Sequence, residues 1–408
     1  MLDPGYRNRA DYHTPNLLSL PRELLDLILD SLDASDVACL SLCNHALCWK
    51  LAADSWKLLC IGARPNEQRR DFLLSLARDQ PDYFFCHPCA RLHRSTCVGP
   101  PRRPEFQGSR RPRLRCVTNP SVHESASDCF RTHVDHSSTY YFVFQHLQLA
   151  MMRHRYGPEY GIATDTLSII EVQTSLQYNA TTLLSVEPRI LCNQLYLRVQ
   201  QWITFDQEPI LRAANTRNLS ICSHANRFTS FNVQNLLQCK MEHGDRRESC
   251  PTCQPLLRCS KCAVEFQVDT KHLTKHRTAI VTTKWLNLGR GCTPSDPQWR
   301  RHLYGFFPKI TVTAADVVNG LRSKFEGEQG KSLGTLTDEN ALLLRDESVL
   351  MTFATCNGRD IRRWIHSSDT PTIDGRVTSR AVSSLLKGAI LPYAALLLPT
   401  MVLLLLYM

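Results

Sequence analysis

The stretch CPTCQPLLRCSKC at residues 250–262 sets two Cys-x-x-Cys pairs five residues apart, and no other feature restricts the folding of this chain so strongly. Such a pair offers two thiolates from one tight turn, half of a tetrahedral metal site, and a filled site pins the loops that supply it. Around it stand Cys222, His224, Cys239, His243, Cys250, Cys253, Cys259, Cys262, His272 and His276, ten potential ligands within 55 residues. That density points to metal rather than to buried thiols. If one ion took both pairs, the link 254–258 would have to fold back sharply. With two ions, Cys250 and Cys253 would pair with an upstream Cys222, His224, Cys239 or His243, and Cys259 and Cys262 with a downstream histidine.

Zinc is the expected ion, and its role the staple. Catalytic zinc needs an open position and a general base, as in His-Glu-x-x-His or His-x-Glu with Pro-Cys-x-x-Cys, and neither pattern is present. A RING-type cross-brace needs longer alternation of Cys and His pairs. The order Cys259, Cys262, His272, His276 resembles a Cys-Cys-His-His finger, but nine residues separate Cys262 from His272 where about twelve are usual. A nucleic-acid reader is therefore the alternative rather than the expectation. A second cluster, Cys86, Cys89 and His93 with Cys97 close behind, follows the aromatic run Tyr83, Phe84, Phe85 and reads equally as a half-site for zinc or as buried thiols.

The 18 cysteines follow an N-terminus that is polar and has no secretory apolar core, so reduced thiols are expected and not a disulfide framework. The net charge of +10 is partly local: residues 100–115 carry Arg102, Arg103, Arg110, Arg111, Arg113 and Arg115 against Glu105 alone. With little aromatic content to stack on bases, that run reads as a solvated linker. No phosphate-binding loop, nucleophile elbow or kinase signature occurs, and the chain is not expected to be an enzyme.

Residues 17–60 predict three short helices. Pro21 with Glu23 is a start signal, Leu24, Leu25, Ile28, Leu29 and Leu32 recur at helical spacing, and Asp33 to Asp36 is a break with a new N-cap. Val37, Leu40, Leu42 and Cys43 begin a second stripe; Trp49, Leu51, Trp56 and Leu59 belong to a third helix. The run Leu20-Pro21-x-Glu23-Leu24-Leu25 with Ile28, Leu32, Val37 and Leu40 resembles the F-box, the helical module that docks substrate receptors onto the Skp-type adaptor of cullin-RING ubiquitin ligases. In the third helix, Asn44-His45-Ala46-Leu47 departs from the usual pattern. Three later segments, at 69–94, 151–162 and 283–302, narrow the resemblance to F-box proteins of filamentous fungi.

The resemblance implies a substrate-recognition subunit, with Leu20, Pro21, Leu24, Ile28, Leu32, Val37 and Leu40 facing the adaptor and an unknown protein substrate bound elsewhere. It also implies a cytoplasmic or nuclear protein.

The fold expected is α+β: a three-helix F-box at 16–62, a helix and Cys/His segment at 63–99, and a Pro/Arg-rich linker at 100–140. A Cys/His-rich domain of antiparallel sheet and helices follows at 141–310, with strands over 169–205 broken by Pro188, and then a polar region at 311–387 in which 326–340 reads as flexible linker. The uncharged stretch 388–408, after Arg376, Arg380 and Lys387, has the length of a membrane-crossing helix and reads as a tail anchor facing the cytosol, against a buried helix or a gene-prediction artefact; it makes a membrane-anchored scaffold without ligase function the second alternative to the receptor reading.

Overall fold

The computed structural model describes residues 17–60, 67–101, 140–175, 180–205, 233–243, 256–259, 264–274, 277–303, 320–327 and 332–345, with the single positions 116, 221, 222, 250, 253 and 262. The Pro/Arg run beyond Pro101 and the apolar stretch 388–408 lie outside these residues. No helix among the described residues is long and apolar enough to cross a membrane. The chain folds as two units, one ending at His93 and one beginning at Arg94.

In the first unit, Pro21 stands at the N-cap of α1 (Arg22–Asp30), and its carbonyl accepts from the N–H groups of Leu24 and Leu25. The carboxylate of Asp33 caps α2 (Ala34–Cys43), accepting from the Asp36 N–H at 2.9 Å and from the Ser35 hydroxyl at 2.7 Å. Those bonds hold its pKa below the usual value, because they favour the ionised form. Asn44 starts α3 (His45–Cys60) with its side-chain oxygen on the Ala46 N–H. Helices α2 and α3 with α4 (Glu67–Asp79) enclose Ala38, Leu59 and Phe72, and the Trp56 ring meets Phe72 edge-on. A hairpin of β1 (Tyr83–Cys86) and β2 (Arg91–Arg94) follows.

The second unit is built on a six-stranded antiparallel sheet: β3 (Ile169–Ser175), β4 (Ala180–Leu191), β5 (Gln194–Phe205), β6 (Leu257–Arg258), β7 (Glu265–Thr274) and β8 (Arg277–Gly289). Its order is β3-β4-β5-β8-β7-β6. Cys192 and Asn193 at φ 49° and 59° make the two-residue turn between β4 and β5, the geometry that suits the right-handed twist of a hairpin. The expected break at Pro188 does not occur, and Pro188 pairs with Leu197 inside β4. The pairing of β3 with β4 ends at Val186, so one edge of β4 has no strand partner there among the described residues, and a residue without an N–H is tolerated.

One face of the sheet packs Leu184, Val186, Leu197, Val199, Leu286 and Leu288 against α5 (Phe144–Tyr156) and Trp299 of α7 (Pro297–Arg300). Helix α6 (Val233–His243) is tied to β7 by the buried Lys240, whose ammonium lies 2.7 Å from Asp269. The other face carries α8 (Leu321–Glu326) and α9 (Leu333–Arg345), so residues 333–340, read as linker in the sequence, are a docked helix. Asn340 donates to Gln200 at 2.6 Å, and Gln200 in turn donates to Thr337 at 2.9 Å.

Candidate metal centres

Helix α6 places Cys239 and His243 one turn apart on one face, as i,i+4 spacing requires. Cys250 and Cys253 come to them from a tight turn in which the Cys253 N–H donates to the Cys250 carbonyl. The Cys239 sulfur lies 3.3 Å from Nδ1 of His243, 3.8 Å from the Cys250 sulfur and 3.4 Å from the Cys253 sulfur, and Nδ1 of His243 is 3.2 Å from Cys253. Ligands around one zinc at Zn–S of about 2.3 Å stand about 3.5–3.8 Å apart, so these four donors fit a single tetrahedral ion. Cys253 is buried, Cys239 and Cys250 are half-buried, and His243 is exposed.

Cys222, Cys259 and Cys262 form a second group, all three buried and with every ligand atom within 4.8 Å of the others. The Cys259 N–H donates to the Val264 carbonyl at 2.9 Å, closing the turn that leads from β6 into β7. In the first unit the β1–β2 hairpin gathers Cys86, Cys89 and His93, with the Cys89 sulfur 3.0 Å from Nε2 of His93. The turn passes through Ala90 at φ 49°. Cys97 lies on the short helix Ser95–Cys97 and is not in this group.

Two of the thiols are strongly perturbed. Burial, with the Cys239 and Cys250 sulfurs beside it, pushes the Cys253 thiol up to about 12. Burial, with Cys222 and Cys259 beside it, likewise raises Cys262 well above an ordinary thiol. Packed sulfurs that cannot ionise together are the arrangement a cation relieves, because each thiolate then faces positive charge in place of another sulfur.

Of the predicted ligands, Cys86, Cys89, His93, Cys222, Cys250, Cys253, Cys259 and Cys262 all fall within these groups, whereas His224 and His276 lie outside the described residues. His272 is not brought to any of them. It is exposed on β7, with Nδ1 3.1 Å from the Thr278 hydroxyl, and the segment from which a finger would build its helix is strand. Among the described residues, the cysteine gathered with Cys259 and Cys262 is the upstream Cys222. Cys239 and His243 complete the four-donor group, and their helical spacing was the signal that could have singled them out. No protein-family model matches the chain, and neither does any curated protein or solved structure.

Proposed function

We propose that this chain is an F-box substrate-recognition subunit that recruits a protein target to a Skp-cullin-F-box type ubiquitin ligase, with structural zinc in its Cys/His groups. The observation that carries the reading is α1, which buries Leu25 alone and leaves Leu24, Leu27 and Ile28 at 48%, 66% and 38% exposure. None of Leu20, Pro21, Leu24, Ile28, Leu32, Val37 and Leu40 is buried. An apolar row left uncovered along an amphipathic helix is the surface a partner covers, at about 1.5–3 kcal/mol for each aliphatic side chain fully buried.

In this reading the first unit docks the adaptor and the six-stranded unit presents the target, while the chain does no chemistry itself. Zinc suits the donors, thiolate with imidazole, and would hold α6 and the turns around β6 in place. The test is a pull-down of the full chain with purified Skp-type adaptor, alongside the variant L24E/I28E. Both positions are exposed, so the variant should fold; retention of the adaptor by wild type and its loss in the variant are expected. Absence of binding by folded, zinc-loaded wild type overturns the assignment.

A further inference from the structure

We propose that the Cys239/His243/Cys250/Cys253 centre is an oxidation-sensitive site at which a hydroperoxide joins Cys239 to Cys253 and releases the ion, while the Cys222/Cys259/Cys262 centre keeps its own. The inference rests on reading both groups as zinc centres.

The two centres present the same chemistry in opposite surroundings. Cys222, Cys259 and Cys262 are 2%, 4% and 2% exposed, so an oxidant in water has no direct line to any sulfur. At the other centre Cys253 is buried, but Cys239 and Cys250 are half-buried and His243 is exposed, so an oxidant can reach the sulfur that reacts first. Oxidation follows thiolate character together with access, and zinc maintains thiolate character at both, which leaves access to decide.

Geometry then selects the product. Cys239 lies 3.4 Å from the Cys253 sulfur and 3.8 Å from that of Cys250, so the nearer partner is Cys253. In the first step the Cys239 thiolate attacks one oxygen of hydrogen peroxide, the O–O bond breaks, and hydroxide leaves from a sulfenic acid. In the second the Cys253 thiolate attacks that sulfur, the S–O bond breaks, and a second hydroxide leaves. Two thiolates have together lost two electrons, the peroxide has become two hydroxides, and the zinc ion keeps only His243 and Cys250, too few to hold it. The new bond still joins α6 to the turn at Cys253. A thiol reductant therefore restores the ligands without rebuilding the fold.

The experiment treats zinc-loaded full-length protein with hydrogen peroxide, reads released zinc with a chelating dye, and maps each cysteine by alkylation and mass spectrometry. Loss of free thiol at Cys239 and Cys253 as one disulfide-linked pair is expected, with zinc release that dithiothreitol and added zinc reverse. Cys222, Cys259 and Cys262 should stay reduced throughout. Oxidation of the buried three at the same rate overturns the proposal, as does a Cys250–Cys253 product or zinc retained after the disulfide forms. Failure of the zinc reading itself is separate: before any oxidant, C239S and H243A would then carry the same zinc content as wild type.

Discussion

Arg198 has no exposed side-chain surface and grips Glu326 with one guanidinium nitrogen, 2.9 and 2.8 Å from its two carboxylate oxygens, tying β5 to a helix 128 residues later. Its other terminal nitrogen donates to Glu187 at 2.5 Å, and the Trp285 indole N–H donates to Glu326 at 2.9 Å. Arg189 lies over the Phe325 ring, 4.3 Å from its centroid, and donates to the Phe325 carbonyl. Removing one partner of such a pair leaves a buried charge uncompensated, at roughly 3–5 kcal/mol. E326A leaves Glu187 as the one carboxylate on Arg198, and should lower the unfolding free energy of the sheet unit by up to about that amount in urea titration, whereas R322A, whose guanidinium makes one hydrogen bond to Gln267 and lies 5.4 Å from the Trp285 ring centroid, should cost less. Equal losses would mean that α8 is held by packing alone.

Acid acts through the metal. The donor thiols of Cys253 and Cys262 must lose protons to bind an ion, so zinc affinity should fall as pH drops below neutrality, measurable by competition with a chromophoric chelator. In the metal-free protein the sign reverses. A folded pKa near 12 against an ordinary 9.0 for Cys253 favours the folded state while both forms are protonated. That contribution is whole below pH 9 and lost as pH rises toward 12. Thermal unfolding of chelated protein from pH 7 to 11 should show the decline, and a flat profile would argue against the packed sulfurs.

His146 gives an independent acid response. Its Nδ1 accepts from the Val143 N–H at 3.0 Å and Nε2 lies 3.2 Å from the Gly99 carbonyl, a neutral ring with its proton on Nε2. Burial lowers its pKa to about 4, and the Gly99 contact opposes this without offsetting it. A base whose folded pKa lies below its ordinary 6.5 stabilises the fold above pH 6.5 and loses that contribution as pH falls through 4. Unfolding free energies between pH 7 and 4 should fall more steeply for wild type than for H146N.

A substitution at Gly161 probes close packing. This glycine has φ of +55°, and a Cβ there would lie 2.0 Å from the Leu149 carbonyl oxygen of α5. G161A should destabilise the sheet unit by roughly 1–3 kcal/mol or more, from backbone strain and the clash together, read as a lower urea midpoint. An unchanged midpoint would show that the loop after α5 shifts freely.

Much of the sheet was legible because β3, β4 and β5 alternate in a way that sequence displays, as in Leu195, Leu197 and Val199 facing one side and Tyr196 and Arg198 the other. Helix α9 was not. Its buried stripe is Leu336, Asn340, Ala341 and Leu344, and the asparagine inside it reads as surface until Gln200, 140 residues away, supplies its partner. The cysteine turns were plain from spacing, but their grouping depends on where α6 and the segment at Cys222 lie in space. Local sequence does not carry that information.

Cys253 and Cys259 belong to different centres yet stand only six positions apart, with β6 between them. The first ion to bind therefore fixes one end of a very short loop, and the second closes a loop whose ends already lie close together. Ordering entropy falls mainly on the first event, so the two sites of the reduced protein should fill with positive cooperativity.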